Sequence, residues 1–533
     1  MIVGSLLKSA SHIAHKKNSK NRSQNSEKFE MVIETQEDQL IKLLQKAKKT
    51  EFGQVYHFEE ILSAANVKDA YRKVVPIFQY DYMFKKFWHK TLSGCEDISW
   101  PGKITNFALT SGTTSAASKR VPVSKQMIKG IKKTCLNQVL SLSELNLPSS
   151  FYQKHVLCVG GSTDLKKVNK QYEGDLSGIL TGKVPHWINP YTKPSKKIRA
   201  INNWEEKLSV MVEAAPKWDV GIICGVPAWV QILIQRIIDR YKLESIFEIW
   251  PNLKVYIHGG VSFSPYVNSF NQLFKEHVIY LDTYLASEGF IGYQSATSDE
   301  MQLVIDNNIY YEFIPFNSDH FDEDGNLINY TDALTVDEVQ EGVDYALLIS
   351  TNSGAFRYLI GDTIRFTMVS RLAFKITGRT KHYLSMCGEH LSVDNMTEAI
   401  SNISYRKGIS IDEFAVLGKQ KENGNFMHKW YLASDAPINT LTFKQELDEK
   451  LCALNDDYKT EREFALETME VEVLPTHVFY NFLKLIDKYG SQHKFPRVLK
   501  GKLADDWEQY IEILSEENTQ IPIDWQAGGS PLK

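Results

Sequence analysis

A run of small hydroxylated residues near the first fifth of the chain has the composition of an anion-binding loop. It begins with Thr110-Ser111-Gly112-Thr113-Thr114 and ends at Lys119. Backbone N–H groups, hydroxyl donors and one ammonium group together suit an anion such as a polyphosphate. The same composition is common in Ser/Thr-rich turns, so the run alone leaves both interpretations open.

Three further stretches carry residue types that a nucleotide requires. A predicted strand ends in His258-Gly259-Gly260-Val261, where paired glycines let a flat base approach the backbone. The stretch Asp282-Thr283-Tyr284-Leu285-Ala286-Ser287-Glu288 brings together an aromatic ring, a hydroxyl and a carboxylate, which suit adenine, phosphate and Mg²⁺. The stretch from Arg357 to Asp362 ends in a carboxylate that can accept from two ribose hydroxyls. Each stretch is weak alone, but their order favours a nucleotide site.

The most familiar catalytic motifs do not occur. The sequence contains no G-x-x-x-x-G-K-[ST], G-x-G-x-x-G, H-E-x-x-H or G-x-S-x-G motif. The 14 histidines are not grouped at metal-ligand spacing, and His258 is interpreted as a hydrogen-bonded structural residue. Kinase, dehydrogenase, zinc protease and serine hydrolase activities therefore lack their usual sequence support.

Predicted strands and helices explain how these stretches are positioned. Strands over 104–109 and 121–123 flank the hydroxylated run, and Ser124 caps a helix buried along Ile128, Ile131, Cys135 and Val139. An early helix through Leu40 and Ala47 is predicted to stop near Gly53. Later strands over 156–159, 220–224, 253–257 and 278–281, with a helix start at Pro227, predict an α/β layer. Residues 301–374 predict an antiparallel or barrel-like subdomain. The last part predicts strands over 414–417 and 430–432 and helices over 442–454 and 503–514.

Composition excludes other classes of protein. The 533 residues include 61 Lys+Arg and 65 Asp+Glu, for a formal net charge of -4. Because nucleic-acid-binding chains usually carry a strongly basic face, we expect no nucleic-acid partner. No apolar run reaches about 18 residues, so we expect no stable membrane insertion. Residues 1–11 predict an amphipathic helix, with a weak membrane-surface or targeting role as the alternative. The six scattered cysteines indicate a reducing compartment, and we expect a cytoplasmic protein.

Taken together, the stretches resemble the three nucleotide-binding motifs of the plant acyl acid amido synthetases that conjugate auxin and jasmonate. This Gretchen Hagen-type family belongs to the adenylate-forming enzymes. The family motif S-S-G-T-S-x-G-x-x-K resembles residues 110–119, Y-x-S-S-E resembles 284–288, and Y-R-x-x-G-D loosely resembles 357–362. Ala116 replaces a motif glycine and Ala286 replaces a motif serine. The resemblance also includes residues 50–53 and 75–81, so it covers most of the chain.

The resemblance implies an α/β fold of the adenylate-forming type. A large N-terminal α/β and β-barrel-like body over 1–378 would bind ATP and the acyl acid, and a smaller, mobile α+β domain would occupy 379–533. The stretch Thr377-Gly378-Arg379-Thr380 resembles the hinge between these domains. ATP and Mg²⁺ are the implied cofactors, and a small-molecule carboxylic acid and an amino acid are the implied partners.

The resemblance also implies a role for each matched residue. Lys502 ends a stretch similar to the family's P-R-x-x-x-G-K and is the candidate adenylation lysine, with Lys500 as the near alternative. Glu288 is the second catalytic candidate and the Mg²⁺ ligand. His390 stands where plant members carry a lysine. The implied nucleotide-binding residues are Thr110, Ser111, Gly112, Thr113, Thr114, Lys119, Gly259, Gly260, Val261, Tyr284, Ala286, Ser287, Asp362 and Arg379.

Three functions follow from this resemblance. The first is ATP-dependent adenylation of a carboxylic acid with transfer of the acyl group to an amino acid, which is an amide-forming ligase activity. The second is adenylation with transfer to a thiol such as coenzyme A or a carrier protein. The third is a nucleotide-binding protein with reduced catalysis, because Ala116, Ala286 and His390 depart from the family pattern. Phe290 and Trp229 are candidates for an acid pocket, although such residues are usually core.

Overall fold

The structure is a computed structural model that describes most of the chain in two compact units. It describes residues 26–516 except 111–118, 169–170, 185–187, 323–324, 331–332, 382, 385, 387–388, 390, 421–425, 456–457, 460–461, 463–465, 468 and 490–494. The predicted helix over 1–11 lies outside the described residues. The first unit comprises Met1–Phe263 and Asn271–Thr380, and the second comprises Ser264–Phe270 and Lys381–Lys533.

The α-helices are labelled here in chain order. Those before the second unit's main segment are α1 Ser26–Ala47, α2 Glu51–Val55, α3 Phe58–Leu62, α4 Val67–Val74, α5 Tyr80–Met83, α6 His89–Leu92, α7 Lys125–Ser141, α8 Leu176–Thr181, α9 Lys196–Arg199, α10 Trp204–Ala214, α11 Pro227–Tyr241 and α12 Val267–Phe274. The later ones are α13 Val393–Lys407, α14 Thr440–Leu454, α15 Thr476–Leu485 and α16 Lys502–Glu516.

The strands of the first unit are also labelled in chain order. They are β1 Asn106–Thr110, β2 Lys119–Val123, β3 His155–Val159, β4 Lys166–Val168, β5 Gln171–Gly174, β6 Thr192–Lys193, β7 Val220–Gly225, β8 Val255–Gly259, β9 Ile279–Ala286, β10 Gly289–Gln294, β11 Met301–Leu303, β12 Ile309–Pro315, β13 Asp344–Thr351, β14 Tyr358–Met368 and β15 Ala373–Arg379.

One 11-stranded sheet organises the first unit, in the order β12-β13-β14-β15-β11-β10-β9-β8-β7-β3-β6. Its β6, β3, β7, β8 and β9 strands pair in parallel, and the remainder pair antiparallel. The buried apolar runs of the parallel strands, such as β7, are typical of sheets covered on both faces. The antiparallel pattern predicted for 301–374 is confirmed, and those strands continue this sheet.

A smaller sheet carries the hydroxylated run. Its order is β2-β1-β5-β4, with β1 and β2 antiparallel. The helix predicted after β2 is confirmed as α7, whose N-cap Ser124 accepts from the backbone N–H of Met127. Ile128 and Ile131 on α7 are buried.

The helix stop predicted near Gly53 is wrong. The first helix ends at Ala47, and Gly53 lies inside α2. The Thr50 hydroxyl donates to the Ala47 carbonyl at 2.6 Å and accepts from the Gly53 backbone N–H. A Cβ atom at Gly53 would lie 2.2 Å from the Ala47 oxygen. The absence of a side chain at Gly53 therefore permits α2 to pack closely against the end of α1. Thr50, the N-cap of α2, lies between the two helices in the sequence.

The second unit is built from short strands and amphipathic helices. Its strands are β16 Tyr383–Leu384, β17 Leu391–Ser392, β18 Phe414–Gln420, β19 Phe426–Ala433 and β20 Glu470–Leu474, and the last three form one sheet. Trp430 and Trp507 are fully buried, each in its own apolar cluster. The predicted mixture of helices and strands is confirmed. Among the described helices, none is both long and apolar enough to cross a membrane.

Candidate active site

Strands β1 and β2 bring the two ends of the hydroxylated run together. Thr110 and Lys119 are register partners across this antiparallel pair. The run therefore joins two strands, as its flanking sequence predicts. Ser111, Gly112, Thr113 and Thr114 lie outside the described residues, as does Ala116.

Lys119 is held at the start of β2 by its surroundings. Its ammonium group lies 5.3 Å from the centroid of the Tyr80 ring. The Tyr80 hydroxyl accepts a 2.7 Å hydrogen bond from the backbone N–H of Arg120. The Arg120 side chain in turn donates to the buried carboxylate of Glu173 at 2.7 Å. These contacts fix the strand that follows the hydroxylated run.

Glu288 lies in the tight turn between β9 and β10. Its side chain is buried, and burial raises the pKa of its carboxyl group to about 7, because removal from water disfavours the charged form. The nearby charge of Asp362 raises this pKa further, while Arg379 and Lys119 lower it. Perturbed carboxyl groups of this kind are common at catalytic sites.

Asp362 on β14 contacts side chains from two other strands of the large sheet. The Tyr284 hydroxyl donates to its Oδ2 atom at 2.5 Å, and Arg379 lies at 2.8 Å from its Oδ1 atom. Asp362 and Arg379 are also register partners on β14 and β15. A carboxylate has about four acceptor positions, so these two bonds do not exhaust Asp362.

We refer to Lys119, Tyr284, Glu288, Asp362 and Arg379 as the motif cluster. These residues come from β2, β9, the β9–β10 turn, β14 and β15 of the first unit. The pKa of Arg379 is raised mainly by Asp362, and Tyr284 and Glu288 contribute to the same effect. Residues that lie far apart in the sequence therefore form one electrostatically coupled group.

The glycines after β8 have a structural explanation of their own. Gly259 is the register partner of Thr283, and a Cβ atom there would lie 2.2 Å from the Thr283 carbonyl oxygen. Gly260 has a φ of +87°, which L side chains rarely adopt. Val261 follows directly. Strand packing thus accounts for Gly259, and a nucleotide contact at Gly259, Gly260 and Val261 stays a prediction.

Ala286 and Ser287 lie directly before Glu288. Ala286 ends β9 and pairs with Gly289 of β10, so Ser287 and Glu288 form the connecting turn. Ala286 and Ser287 are half-buried. The two candidates for the acid pocket, Phe290 and Trp229, are 2% and 1% exposed and belong to the packed interior of the first unit.

The candidate lysines belong to the second unit. Lys502 is the first residue of α16 and is exposed, and Lys500 is also exposed. Gly501 between them has a φ of +53°. Their roles in adenylation stay predictions, and His390 lies outside the described residues.

Arg357 and Tyr358 differ from each other although both belong to the third motif. Arg357 is buried and forms a two-point ion pair with Glu312, at 3.1 Å from each carboxylate oxygen. Its NH1 group donates to the Arg72 and Val75 carbonyls. Tyr358 is also buried, which raises its pKa, and the charge of Glu288 raises this pKa further. Sequence reasoning did not single out Tyr358 as a site residue. The only sequence signal for it is its position four residues before Asp362 in the third motif.

His258 and Asp282 form a second polar pair beside the cluster. They are register partners on β8 and β9, with Nδ1 of His258 at 3.5 Å from Oδ1 of Asp282. His258 stacks on Phe263 with ring centroids 4.1 Å apart, and burial lowers its pKa to about 3. Burial also raises the pKa of Asp282 to about 6. The prediction that His258 is a structural residue agrees with its burial, but its Nδ1 atom has no hydrogen-bond partner among the described residues.

Comparison with known proteins identifies the family. The GH3 family N-terminal domain matches residues 23–162 and 132–279, the GH3 family central domain matches 302–379, and the GH3 family C-terminal domain matches 393–502. The chain belongs to the GH3 family. The resemblance drawn from the three motifs is therefore confirmed.

Individual relatives of this GH3 chain are ligases. Indole-3-acetic acid-amido synthetase GH3.4 of Arabidopsis thaliana is 24% identical over 483 residues, covering 82% of this chain and 77% of the relative. The structure of GH3.15 acyl acid amido synthetase matches with a TM-score of 0.71 at 16% identity, covering 91% of this chain and 93% of the other.

The fold of this GH3 protein also extends to thioester-forming ligases. The structure of 2-hydroxyisobutyryl-CoA ligase in complex with 2-HIB-AMP matches with a TM-score of 0.60 at 13% identity and covers 94% of both chains. That neighbour holds an acyl adenylate. The predicted α/β fold of the adenylate-forming type is confirmed.

Proposed function

We propose that this GH3 protein adenylates a small-molecule carboxylic acid with ATP and transfers the acyl group to an amino acid. The observation that carries the proposal is the motif cluster, in which the charges of Lys119 and Asp362 both act on the buried Glu288 carboxyl group although 243 positions separate Lys119 from Asp362. GH3.4 is named as a synthetase that forms amides of indole-3-acetic acid, and GH3.15 as an acyl acid amido synthetase.

Activation is chemically necessary for this reaction. An amine does not attack a carboxylate at neutral pH, because the carboxylate is anionic and its oxygen is a poor leaving group. Attack of the carboxylate oxygen on the α-phosphorus of ATP gives an acyl-AMP and releases pyrophosphate. Charge then develops on the phosphate oxygens, which fixed donors and cations stabilise. The amine displaces AMP from the acyl-AMP, and the amide bond forms.

The cluster has groups that suit each part of the nucleotide. We assign the run from Thr110 to Lys119 to the β- and γ-phosphates, because its hydroxyls and ammonium group are donors. Asp362, with acceptor capacity beyond its bonds to Tyr284 and Arg379, suits the ribose hydroxyls. Arg379 neutralises Asp362 and holds its orientation.

The buried Glu288 carboxylate suits a magnesium ion that is bound together with the nucleotide. Mg²⁺ commonly takes one or two carboxylates and completes its shell with phosphate oxygens and water. Among the described residues, no group of three or more His, Cys, Asp or Glu side chains converges on one point. The ion would neutralise charge on the phosphates. Glu288 is the buried carboxylate in the cluster whose raised pKa a neighbouring cation would lower.

We assign the candidate lysines of the second unit to the adenylation step. The unit boundary after Thr380 supports a domain division near Gly378, with 1–378 and 379–533 as domains. Lys502, or Lys500, would contact the α-phosphate and the acid. We also propose a cytoplasmic location, which the absence of disulfides among the described cysteines supports.

Acid-dependent exchange of pyrophosphate into ATP tests the adenylation step. A panel of aromatic, indole-type and fatty acids should contain at least one acid that supports exchange. Product analysis with amino acids and, separately, with coenzyme A distinguishes amide from thioester formation. Formation of an acyl-CoA product without any amide would favour the second function, transfer of the acyl group to coenzyme A. ATP binding without exchange for any acid would indicate reduced catalysis.

The same assay separates the two lysine candidates. Lys502→Ala should lower exchange by about 10²–10³-fold if Lys502 contacts the reacting groups. Lys500→Ala is the matched control, because both side chains are exposed and lie two positions apart. Loss of exchange in Lys500→Ala with normal exchange in Lys502→Ala would reverse the assignment.

A further inference from the structure

Two cysteines lie side by side on neighbouring parallel strands of the large sheet. Cys158 on β3 and Cys224 on β7 are register partners, so their side chains leave the same face of the sheet. Neighbouring strands run about 4.8 Å apart, which falls within the Cα separation over which two cysteines can be bridged. Both residues are half-buried. The motif cluster does not use either residue.

The two thiols interact directly. Hydrogen bonding between the two thiols lowers the pKa of Cys158 and raises the pKa of Cys224. The Arg199 guanidinium lies near enough to Cys158 to lower its pKa further. Cys158 is therefore the nucleophilic member, since the thiolate is the reactive form of cysteine.

A third cysteine lies nearby but is the weaker nucleophile. Cys135 on α7 senses the charge of Cys158, and burial raises its pKa to about 12. Cys95, by contrast, is exposed and lies in another part of the first unit. The sheet thus presents one pair of cooperating thiols, with Cys135 as a neighbour that stays protonated.

We propose that Cys158 and Cys224 form a dithiol site for a soft thiophilic centre, specifically trivalent arsenic. An organic arsenoxide reacts with both thiols in one balanced step. Two sulfur–arsenic bonds form, the arsenic–oxygen bond breaks, and the oxygen leaves as water with both thiol protons. No oxidant or reductant takes part. The arsenic bridges two register partners of adjacent strands.

Bidentate capture distinguishes this site from an ordinary reactive cysteine. The first sulfur–arsenic bond makes the second reaction intramolecular, and losing one arm of such a link typically weakens binding by about 10²–10⁴-fold. A monothiol reagent in solution competes poorly with the pair, whereas a dithiol reagent competes well. The site should therefore bind arsenic at low concentration without depending on ATP or on catalysis.

Phenylarsine oxide and the full-length protein provide the test. Intact-mass measurement should show one phenylarsine adduct, and subsequent iodoacetamide labelling should show protection of Cys158 and Cys224. Cys158→Ser and Cys224→Ser should each weaken binding by about 10²-fold or more. The adduct should be reversed by dimercaptopropanol at concentrations where β-mercaptoethanol is ineffective.

Cysteine variants outside the pair serve as controls. Cys95→Ser removes an exposed thiol, and Cys135→Ser removes the third thiol near the pair; both variants should bind phenylarsine oxide like the wild type. Circular dichroism and melting temperature establish that each variant is folded. Equal binding by the wild type and the Cys158→Ser variant would overturn the proposal. Protection that maps to cysteines other than this pair would overturn it as well.

Discussion

Two arginine–carboxylate pairs of the first unit have opposite characters. Arg357 and Glu312 are buried, meet through two contacts, and have additional backbone carbonyls as partners for Arg357. Arg379 and Asp362 meet through one contact, and Asp362 also accepts from the Tyr284 hydroxyl. Glu288, a second carboxyl group in the same cluster, has a pKa raised to about 7.

This difference distinguishes a structural ion pair from the candidate nucleotide site. In the first pair, each charge is matched by a neighbour, so its residues bind the N-terminal helices to the sheet. In the motif cluster, burial holds a second carboxylate partly protonated, and its charge balance improves when a cation arrives. A buried charge that lacks full compensation indicates a ligand, whereas a fully matched one indicates packing.

The largest effect on stability should follow from breaking the structural pair. Arg357→Met leaves the buried Glu312 carboxylate without its main partner, which typically costs about 3–5 kcal/mol. The loss should fall near the lower end, because Arg72 lies 3.6 Å from the same carboxylate. Urea unfolding measures it. The double variant Arg357→Met/Glu312→Leu should recover part of the loss, and a single variant as stable as the wild type would contradict the assignment.

A smaller effect, on nucleotide use, should follow from removing one hydroxyl in the motif cluster. Tyr284→Phe deletes the donor to the Asp362 carboxylate, and hydrogen bonds to charged groups contribute about 1.5–3 kcal/mol. We expect the KM for ATP in the exchange assay to rise by about 10–100-fold, because 1.4 kcal/mol corresponds to tenfold.

Tyr71→Phe is the matched control for this prediction. The Tyr71 hydroxyl also has a buried partner, Ser350, at 2.7 Å, but it belongs to the structural region around Arg357. Its removal should lower the free energy of unfolding without changing the KM for ATP. Equal KM values for Tyr284→Phe and the wild type would remove Tyr284 from the site.

The smallest predicted effect concerns the pH dependence of stability at His258. Burial lowers the pKa of His258 from 6.5 to about 3, so the unfolded chain binds the extra proton between these values. The free energy of unfolding therefore falls as pH falls below 6.5, by about 2 kcal/mol at pH 5. Asp282, whose pKa is raised to about 6, acts in the opposite direction.

Comparison with His258→Gln isolates this contribution. The stability difference between the wild type and His258→Gln should shrink by about 2 kcal/mol between pH 7.5 and pH 5, since only the wild type carries the titrating ring. Chemical unfolding at each pH measures the difference. A difference that stays constant over this range would show that His258 is solvated or paired when protonated.

Much of the fold was predictable because its signals are local. Apolar runs predicted β3, β7, β8 and β9 with ends within five residues of the observed ones, the two-residue β6 was not predicted, and Ser124 correctly predicted the start of α7. The end of the early helix was not predictable from Gly53. Close packing against the Ala47 carbonyl, which only the folded structure reveals, explains that glycine.

The candidate site was predictable in part, and the features that the sequence did not predict have a physical explanation. The family resemblance predicted Tyr284, Glu288, Asp362 and Arg379 as site residues, and the structure brings these residues into one cluster. Arg357 lies in the same motif, yet its partner Glu312 is 45 residues away, so its structural role required the tertiary fold. The pairing of Cys158 with Cys224 depends in the same way on the order of strands, which spacing in the sequence does not give.

Acid-dependent ATP–pyrophosphate exchange by Glu288→Gln tests the central claim most directly. The substitution keeps the size of the side chain and removes the buried carboxylate. We predict that exchange falls by about 10²–10³-fold relative to the wild type, as for loss of one preorganised group, while the melting temperature does not decrease. Exchange at the wild-type rate by folded Glu288→Gln would contradict the assignment of the motif cluster as the adenylation site.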